Sequence, residues 1–205
     1  MAALSYEPKA WISPQQYLEI ERAAETKHEY INGEVLAMAG ASTTHVRLVG
    51  ATMSLLYQQL RGKSCEPMMS DHRIFIASGL YAYPDVFVVC NPEYADEAFD
   101  TIINPSVIIE VLSPSTERYD RAEKFAHYQQ LAALHDYLLI SQHAMRVEHY
   151  ARQSDSSWLL RVYENPSDIA QLSGAPATLL LSDIYERVQF AAAPSEFDSE
   201  ADSAS

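Results

Sequence analysis

The sequence predicts a mixed α/β (α+β) domain in which helices flank a central β-sheet, and three observations lead to this class. Apolar residues recur at helical spacing in two segments, residues 42–60 and 115–133. Between and after these segments lie short runs rich in β-branched and aromatic residues, each bounded by Pro, Gly or Asn. The predicted order of elements is α, ββ, α, βββ, α, βββ, which is typical of a mixed sheet with helices packed on it.

The first elements are a capped helix and a β-hairpin. Ser13, Pro14 and Gln16 provide the N-cap and first turn of a short helix that continues through QQYLEIERAA. Asn32-Gly33 then separates EYI from EVL, and this dipeptide favours a type I′ turn because both central residues need positive φ. We therefore expect an N-terminal helix followed by a two-stranded hairpin.

A longer helix and the strands of the sheet come next. Ser42 caps a helix that ends at Leu60, before Gly62. Three strand-like runs follow, MMSDHRIFIA, YPDVFVVC and PSVIIEVLS. Residues 115–133 are predicted to form an amphipathic helix on that sheet. Its apolar stripe is Ala122, Phe125, Tyr128 and Ala132. Strands DYLLIS, MRVEHYA and SWLLRVY come after it, and LLLSDIYERV closes the fold as a strand or a short helix.

Composition indicates one acidic domain. The chain has 205 residues, of which 48% are hydrophobic, and it carries 14 Lys+Arg against 28 Asp+Glu. We divide it into an N-terminal extension (1–12), a folded domain (13–190) and an acidic tail (191–205) that is predicted to be disordered. Electrostatic binding of nucleic acid or anionic lipid needs clustered Lys and Arg, so the acidic composition argues against a protein that binds them in this way. It does not exclude an acidic site filled by a metal ion.

No segment indicates a membrane or an oxidising compartment. No apolar run approaches the roughly 20 residues that cross a bilayer, and the N-terminus has neither the basic nor the apolar region of a signal peptide. Cys65 and Cys90 are far apart in sequence, and neither has a second Cys nearby. This spacing indicates neither a CxxC metal-binding motif nor a disulfide framework, so we expect both side chains to pack in the core. We therefore expect a cytoplasmic protein without an organic cofactor.

Two carboxylates stand out because the runs around them are apolar. Asp85 opens DVFVVC and Glu110 lies inside VIIEVL, and both runs are hydrophobic enough to be buried on two faces. A buried carboxylate requires a cation, hydrogen-bond donors or a proton. If the two strands are neighbours, the side chains converge and suit Mg²⁺, which accepts one or two carboxylates plus waters and phosphate oxygens. Alternatively, Asp85 caps a loop and Glu110 pairs with an Arg.

Lys124 lies in the predicted helix that follows Glu110. Asp120, Lys124 and Tyr128 form one stripe at i, i+4 and i+8, beside the stripe that contains Phe125, so Lys124 is expected near the sheet surface. A Lys beside a metal-bound water can orient that water and offset phosphate charge. Helical spacing alone favours a simpler interpretation, in which Asp120 and Lys124 form a weak surface ion pair.

Glu34 and His45 are further candidates, each with a simpler alternative. Glu34 follows the hairpin turn, where a solvated charge is common, and His45 opens the long helix, where a half-buried His with satisfied nitrogens is common. Asp71 and His72 are adjacent in a predicted strand, so alternation sends them to opposite faces and only one of them can face a cleft.

Taken together, these motifs resemble the Uma2 family of restriction endonucleases in the PD-(D/E)XK nuclease superfamily. The resemblance rests on YPDVFVVC followed by PSVIIEVLSPSTERYDRAEKFAHYQQLAALHDYLLI, and upstream on YLEIERAAETKHEYINGEVLAMAGASTTH. It covers roughly residues 13–187. The resemblance implies a restriction-endonuclease-like core with an N-terminal helix and hairpin.

The resemblance also implies roles for individual residues. Asp85 and Glu110 become the metal-binding carboxylates, with the backbone carbonyl of Val111 as a further ligand. Lys124 becomes the superfamily lysine relocated to the helix, because the usual E-x-K pattern would place it at position 112, where this chain has Leu112. The other matching positions are the accessory acid Glu34, the helix-start His45, and Asp71, Asp120 and Tyr128.

The implied activity is Mg²⁺-dependent hydrolysis of DNA phosphodiester bonds, with Mn²⁺ as a possible substitute. A nuclease that cuts both strands of a duplex can use two sites related by a two-fold axis, so we expect a homodimer. One alternative is a catalytically silent module that keeps the nuclease fold for binding. Another is a metal-independent hydrolase that uses two carboxylates on a sugar.

Overall fold

The computed structural model describes residues 11–38 and 40–190, so the predicted acidic tail and most of the N-terminal extension lie outside the described residues. The helical segments are α1 (Pro14–Ala23), α2 (Thr43–Leu60), α3 (Glu117–Tyr119), a π-helical turn (Asp120–Lys124), α4 (Phe125–Tyr128) and α5 (Leu181–Ile184). The strands are β1 (His28–Ile31), β2 (Glu34–Ala37), β3 (Cys65–Met69), β4 (Arg73–Ile76), β5 (Leu80–Ala82), β6 (Val86–Cys90), β7 (Thr101–Ile102), β8 (Pro105–Leu112), β9 (Asp136–Ser141), β10 (Val147–Arg152), β11 (Trp158–Tyr163), β12 (Ile169–Gln171) and β13 (Thr178–Leu180).

A six-stranded mixed sheet forms the centre of the domain. Its strand order is β11-β10-β9-β8-β6-β3, and β8 and β9 are its parallel pair. All eight residues of β8 are buried, as the apolar run PSVIIEVL predicts. β6 pairs antiparallel with β8, which confirms that the strands expected to carry Asp85 and Glu110 are neighbours in the sheet interior.

A second sheet, with the order β2-β1-β5-β4-β7, lies beside the first, and β12 and β13 form a separate pair. The prediction of a single strand over MMSDHRIFIA is wrong. This run breaks at residues 70–72 into β3, which belongs to the central sheet, and β4, which belongs to the second sheet. The final run LLLSDIYERV is both predicted elements in succession, the end of β13 followed by α5.

The two faces of the central sheet bury different partners. On one face, α2 packs through Leu48, Leu56 and Leu60 against side chains of β6 and β8. On the other face, the second sheet and the helical segment 117–128 cover Phe87 and Ile108. This segment, which we call the site helix, therefore lies against the face from which Glu110 projects.

Local sequence signals place α1, the hairpin and α2 as predicted. Ser13 and Gln16 form a complete capping box at the start of α1. Asn32 and Gly33 have φ of 46° and 98°, the left-handed values that a type I′ turn requires. Ser42 caps α2 by accepting a hydrogen bond from the backbone N–H of His45. The starts of α1 and α2 and the turn of the hairpin are thus fixed by short-range interactions.

The site helix differs from its prediction. It ends at Tyr128 instead of extending to Ala133, and its middle is a π-helical turn. Ala122 and Ala132, assigned to the buried stripe, are exposed. The buried face is instead formed by Asp120, Lys124, Phe125 and Tyr128. The physical reason is that the polar residues of this face find charged and hydrogen-bonding partners on the sheet, as described below.

The two cysteines form a disulfide, which corrects the prediction that they only pack in the core. Cys65 and Cys90 lie directly opposite each other on β3 and β6. Their pairing depends on strand register, which their spacing along the chain does not reveal.

A charged network joins α1 to the loop that follows β6. Arg22 contacts Asp96 and Asp100, and Asp100 also accepts a hydrogen bond from the buried Arg73 at 2.5 Å. Arg73 in turn donates to the hydroxyl of Tyr83. The hydrogen bond from Arg22 holds the pKa of Asp100 far below its usual range.

In the described part of the chain, no helix is long and apolar enough to cross a membrane.

Reduction of the disulfide should destabilise the protein measurably. The bond closes a segment with a sequence separation of 25 residues, and constraining an unfolded loop of that length contributes about 3 kcal/mol. Urea unfolding followed by circular dichroism, with and without dithiothreitol, measures the difference. The variant with both Cys65→Ser and Cys90→Ser should match the reduced protein and ignore the reductant. Equal stability of oxidised and reduced wild type would contradict the prediction.

Asp100→Asn should destabilise the protein in a pH-dependent way. Because the pKa of Asp100 is lowered in the folded state, its carboxylate stabilises the fold above the pKa of the unfolded chain, about 4. We expect a loss of about 2 kcal/mol at neutral pH, which shrinks as the pH falls below that value. Urea unfolding at neutral pH and near pH 3 measures this. Asp96→Asn, which affects only the exposed end of the network, should cost less at both pH values.

Candidate active site

Three elements bring Asp85, Glu110 and Lys124 together. Asp85 lies one residue before β6, Glu110 lies in β8, and Lys124 ends the π-helical turn. The backbone N–H of Asp85 donates to Glu110 Oε2 at 3.2 Å, and Lys124 Nζ lies 3.1 Å from Glu110 Oε1. Glu110 is therefore the link between the other two residues of the predicted catalytic set.

Lys124 is a buried cation surrounded by carboxylates. Its Nζ lies 3.0 Å from Glu29 Oε1, 3.1 Å from Glu110 Oε1 and 3.6 Å from Asp120 Oδ1. Only 8% of its side chain is exposed. The alternative of an Asp120–Lys124 surface pair is therefore wrong, because both partners are buried and Lys124 has two further acidic neighbours.

One oxygen of Asp85 contacts both the central sheet and α2. Its Oδ2 accepts the backbone N–H of Val111 at 2.7 Å and lies 3.2 Å from His45 Nε2. Val111 follows Glu110 directly, so one carboxylate is tied to the strand that carries the other. His45, which Ser42 positions at the start of α2, thus belongs to the site.

Burial sets the protonation behaviour of Glu110. Its Oε1 accepts a hydrogen bond from the hydroxyl of Tyr128 at 2.8 Å, so its partners are Lys124 and Tyr128 and not an Arg. Desolvation, opposed by Lys124 but reinforced by Asp85, Asp120 and Glu29, raises the pKa of Glu110 to about 8. Burial also raises the pKa of Asp120 above its usual value. Both shifts favour the protonated, neutral form of these carboxyl groups as long as no further cation is bound.

The same surroundings keep Lys124 protonated. Burial alone would lower the pKa of Lys124, but the carboxylates of Glu110 and Glu29 outweigh it and raise the pKa well above the usual value. Tyr128, fully buried beside Glu110, has a pKa well above 10 because of its burial and that neighbouring carboxylate, so it remains a hydrogen-bond donor. At neutral pH the site holds one fixed positive charge.

Glu29 is a site residue that sequence reasoning missed. It lies in β1, is 7% exposed, and accepts a hydrogen bond from the backbone N–H of Tyr83, two residues before Asp85. In sequence it is one acidic residue of HEYING, a hairpin strand in which alternating charges are usually solvated. Two adjacent buried residues, Glu29 and Tyr30, are the signal of a strand covered on both faces, and that cover comes from distant segments.

Glu34 and Asp71 occupy exposed positions. Glu34 is the first residue of β2 and pairs in register with Ile31, so it lies on the same face of the hairpin as Glu29, two residue pairs closer to the turn. Asp71 lies in the turn between β3 and β4 and forms an ion pair with Lys27. The alternation argument for Asp71 and His72 is wrong, because these residues are in a turn and not in a strand.

The acidic residues are compatible with a divalent cation of the Mg²⁺ type. Among residues 11–38 and 40–190, no three His, Cys, Asp or Glu side chains form a ready-made metal cage. Mg²⁺ does not need one, because it binds through one or two carboxylates and keeps several waters. Asp85 and Glu110 supply such hard oxygen donors. The buried hydroxyl of Tyr119, whose ring lies 5.8 Å from Lys124 Nζ, has no hydrogen-bond partner among the described residues.

Comparisons with known proteins agree with this architecture. The protein from Anabaena variabilis ATCC 29413 described as a putative nuclease belonging to DUF820 superposes with a TM-score of 0.69 at 18% identity, covering 85% of this chain and 98% of that one. This likeness shows a shared fold.

Two other proteins share more sequence identity with this chain than the structural neighbour does. The Synechocystis sp. PCC 6803 protein sll1609 is 40% identical over 151 residues, 73% of this chain and 85% of the relative. The protein slr1290 from the same organism is 36% identical over 180 residues, 87% of this chain and 94% of the relative. The family model of Uma2, described as putative restriction endonuclease, matches residues 14–182. Since this match spans α1, both sheets and the whole acidic cluster, the chain belongs to the Uma2 family.

Proposed function

We propose that this protein is a metal-dependent endonuclease that hydrolyses DNA phosphodiester bonds. The observation that carries the proposal is the convergence of Asp85, Glu110 and Lys124 from two neighbouring strands and the site helix. This arrangement combines oxygen ligands for a cation with a fixed positive charge, which is the chemistry that phosphodiester hydrolysis requires. Membership of the Uma2 family supports the same conclusion.

Asp85 and Glu110 would hold Mg²⁺ or Mn²⁺, with the backbone carbonyl of Val111 as a further ligand. When bound, such a cation lowers the pKa of a coordinated water and neutralises charge on the scissile phosphate. His45 and the N–H of Val111 fix the orientation of the Asp85 carboxylate through Oδ2. Tyr128 does the same for Glu110 through Oε1.

Lys124 would orient the attacking water and offset phosphate charge. Its ammonium group is held against the sheet by Glu29, Glu110 and Asp120, so it is positioned before substrate binds. Glu34, on the same hairpin face as Glu29, would assist through a water or a second metal ion at the exposed side of the site. The excess of carboxylates repels phosphate, so DNA binding at this site should require the divalent cation.

A catalytically silent binding module is the second candidate, and one observation favours it. Lys124 has three N–H donors and three carboxylate neighbours, so its donors can all be used within the protein. In that case the cluster would serve to fix the site helix on the sheet. Cleavage assays distinguish the two candidates.

Glu110→Gln should abolish cleavage while the protein stays folded. The substitution keeps the shape of the side chain and removes a metal ligand, and we expect the rate to fall by a factor of about 100 or more. The assay incubates wild type and variant with supercoiled, linear, branched and single-stranded DNA in Mg²⁺ or Mn²⁺, then with EDTA. Glu123→Gln, an exposed residue on the same helix, is the matched control and should cut like wild type.

Absence of cleavage of every substrate by wild type would contradict the nuclease assignment, and retained activity in Glu110→Gln would contradict its site. Lys124→Ala is a less selective variant, because it leaves three buried carboxylates without their cation and should also lower stability. Cleavage that continues unchanged in EDTA would favour a metal-independent hydrolase.

Divalent cations should raise the melting temperature of wild type but not of Asp85→Asn. Binding to the folded state alone stabilises a protein in proportion to the logarithm of ligand concentration. Thermal unfolding with increasing Mg²⁺ or Mn²⁺ measures this, and Ca²⁺ tests whether the oxygen ligands are selective. A shift of the same size in Asp85→Asn would place the bound cation elsewhere.

A further inference from the structure

We propose that two copies of this chain pair through the outer edge of β11, so that their central sheets join into one continuous sheet across a two-fold axis. β11 ends the order β11-β10-β9-β8-β6-β3 and pairs with β10 on its inner side. The proposal assigns a surface to the homodimer expected from the sequence, and it does not depend on whether the site cleaves DNA.

The hydrogen-bond pattern shows which groups of β11 are open. The backbone N–H of Gln153 donates to the carbonyl of Ser157, which fixes the phase of the β10–β11 ladder. Leu159, Arg161 and Tyr163 therefore direct their backbone groups toward β10, whereas Trp158, Leu160 and Val162 direct theirs away from the sheet. Three alternate residues thus present the donors and acceptors that another strand could pair with.

Three of the four exposed side chains of β11 are apolar. Leu159, Leu160 and Val162 are 43%, 45% and 41% exposed, on both faces of the strand. Arg161 is the only charged residue between Trp158 and Tyr163. Open edges of this kind promote pairing with other chains unless Lys, Pro or a covering segment blocks them.

The opposite edge of the same sheet carries such protection. β3 contains Pro67 at its centre, flanked by the exposed Glu66. The ladder between β3 and β6, fixed by the hydrogen bond from Asn91 to Ser64, directs the nitrogen of Pro67 outward, so this edge lacks a donor there. Within residues 11–38 and 40–190, one edge is thus blocked to strand pairing, while the edge formed by β11 is open and mostly apolar.

A second copy of β11 fits the open edge because the strand is self-complementary when centred on Leu160. In an antiparallel pair with this centre, Leu160 faces Leu160 of the second copy, and Trp158 faces Val162. Arg161 then faces Leu159. A pair centred on Arg161 would place two guanidinium groups opposite each other, which is unfavourable. The Leu160-centred register pairs apolar side chains, leaves no like charges opposite, and uses all the outward-facing backbone groups.

The interface would also extend toward the site helix. Trp158 packs edge-to-face on Phe125, with ring centroids 5.3 Å apart, and Phe125 directly follows Lys124. Covering Trp158 with Val162 of a second copy would therefore bury the outer side of the aromatic cluster that supports the site helix.

The oligomeric state of the full chain tests the proposal. Light scattering on wild type over a wide range of concentrations should show a species of twice the monomer mass. Leu160→Lys should halve that mass, because it places a charge at the two-fold axis, whereas Met69→Lys, an equally exposed apolar residue at the opposite edge, should leave the dimer intact. A monomeric wild type at all concentrations, or a dimeric Leu160→Lys, would overturn the proposal.

A cross-linking experiment tests the register and remains decisive if Leu160→Lys fails to fold. Cys65 and Cys90 are the only cysteines in the chain and are bonded to each other, so an introduced thiol is the single free one. Under mild oxidation Leu160→Cys should form a covalent dimer, because the two introduced thiols face each other. Val162→Cys should form several-fold less, because in this register position 162 faces Trp158 of the second copy and the two introduced thiols are far apart. Equal cross-linking of the two variants, or none, would refute the Leu160-centred pair.

Discussion

The ammonium group of Lys124 is the interaction on which the arrangement of the site depends. Glu29, Glu110 and Asp120 come from the hairpin, the central sheet and the site helix, and each would carry an uncompensated charge without this cation. Because a buried unpaired charge costs several kcal/mol, the three elements are held in one relative position. Glu110 and Asp120 have raised pKa values even beside Lys124, and a divalent cation bound at the cluster would favour their ionised forms.

Much of the fold follows from short-range signals. The cap at Ser13, the Asn32-Gly33 turn and the cap at Ser42 are local, and the structure confirms the elements that they begin or connect. The break at residues 70–72 falls on the polar residues SDH inside MMSDHRIFIA. It was not predicted in this way, because a short polar stretch also fits an alternating strand and no Gly or Pro marks a turn there, so only the assignment of the two halves to different sheets reveals the break. The disulfide also depends on register between strands that are distant in sequence.

Some features of the candidate site could likewise be predicted from the sequence and others could not. The juxtaposition of Asp85 and Glu110 could be predicted because a carboxylate in an apolar strand is costly and needs an explanation at the sequence level. Glu29 could not, since a charge in a hairpin strand is usually solvated, and only the packing of the site helix against the sheets makes it buried. The π-helical turn could not be predicted either, because Asp120 and Lys124, which it buries, have polar side chains that a sequence places on an exposed helix face.

Placement of the lysine on a helix has a consequence for strand β8. Leu112 is 4% exposed and packs in the core beneath the site helix, at the position where an E-x-K pattern would require a charge. Since Lys124 reaches Glu110 from outside the sheet, the strand needs to tolerate only one ionisable side chain along its eight residues. One aliphatic residue of β8 can therefore replace another without altering the electrostatics of the site, because the cation that contacts Glu110 is carried by a different element.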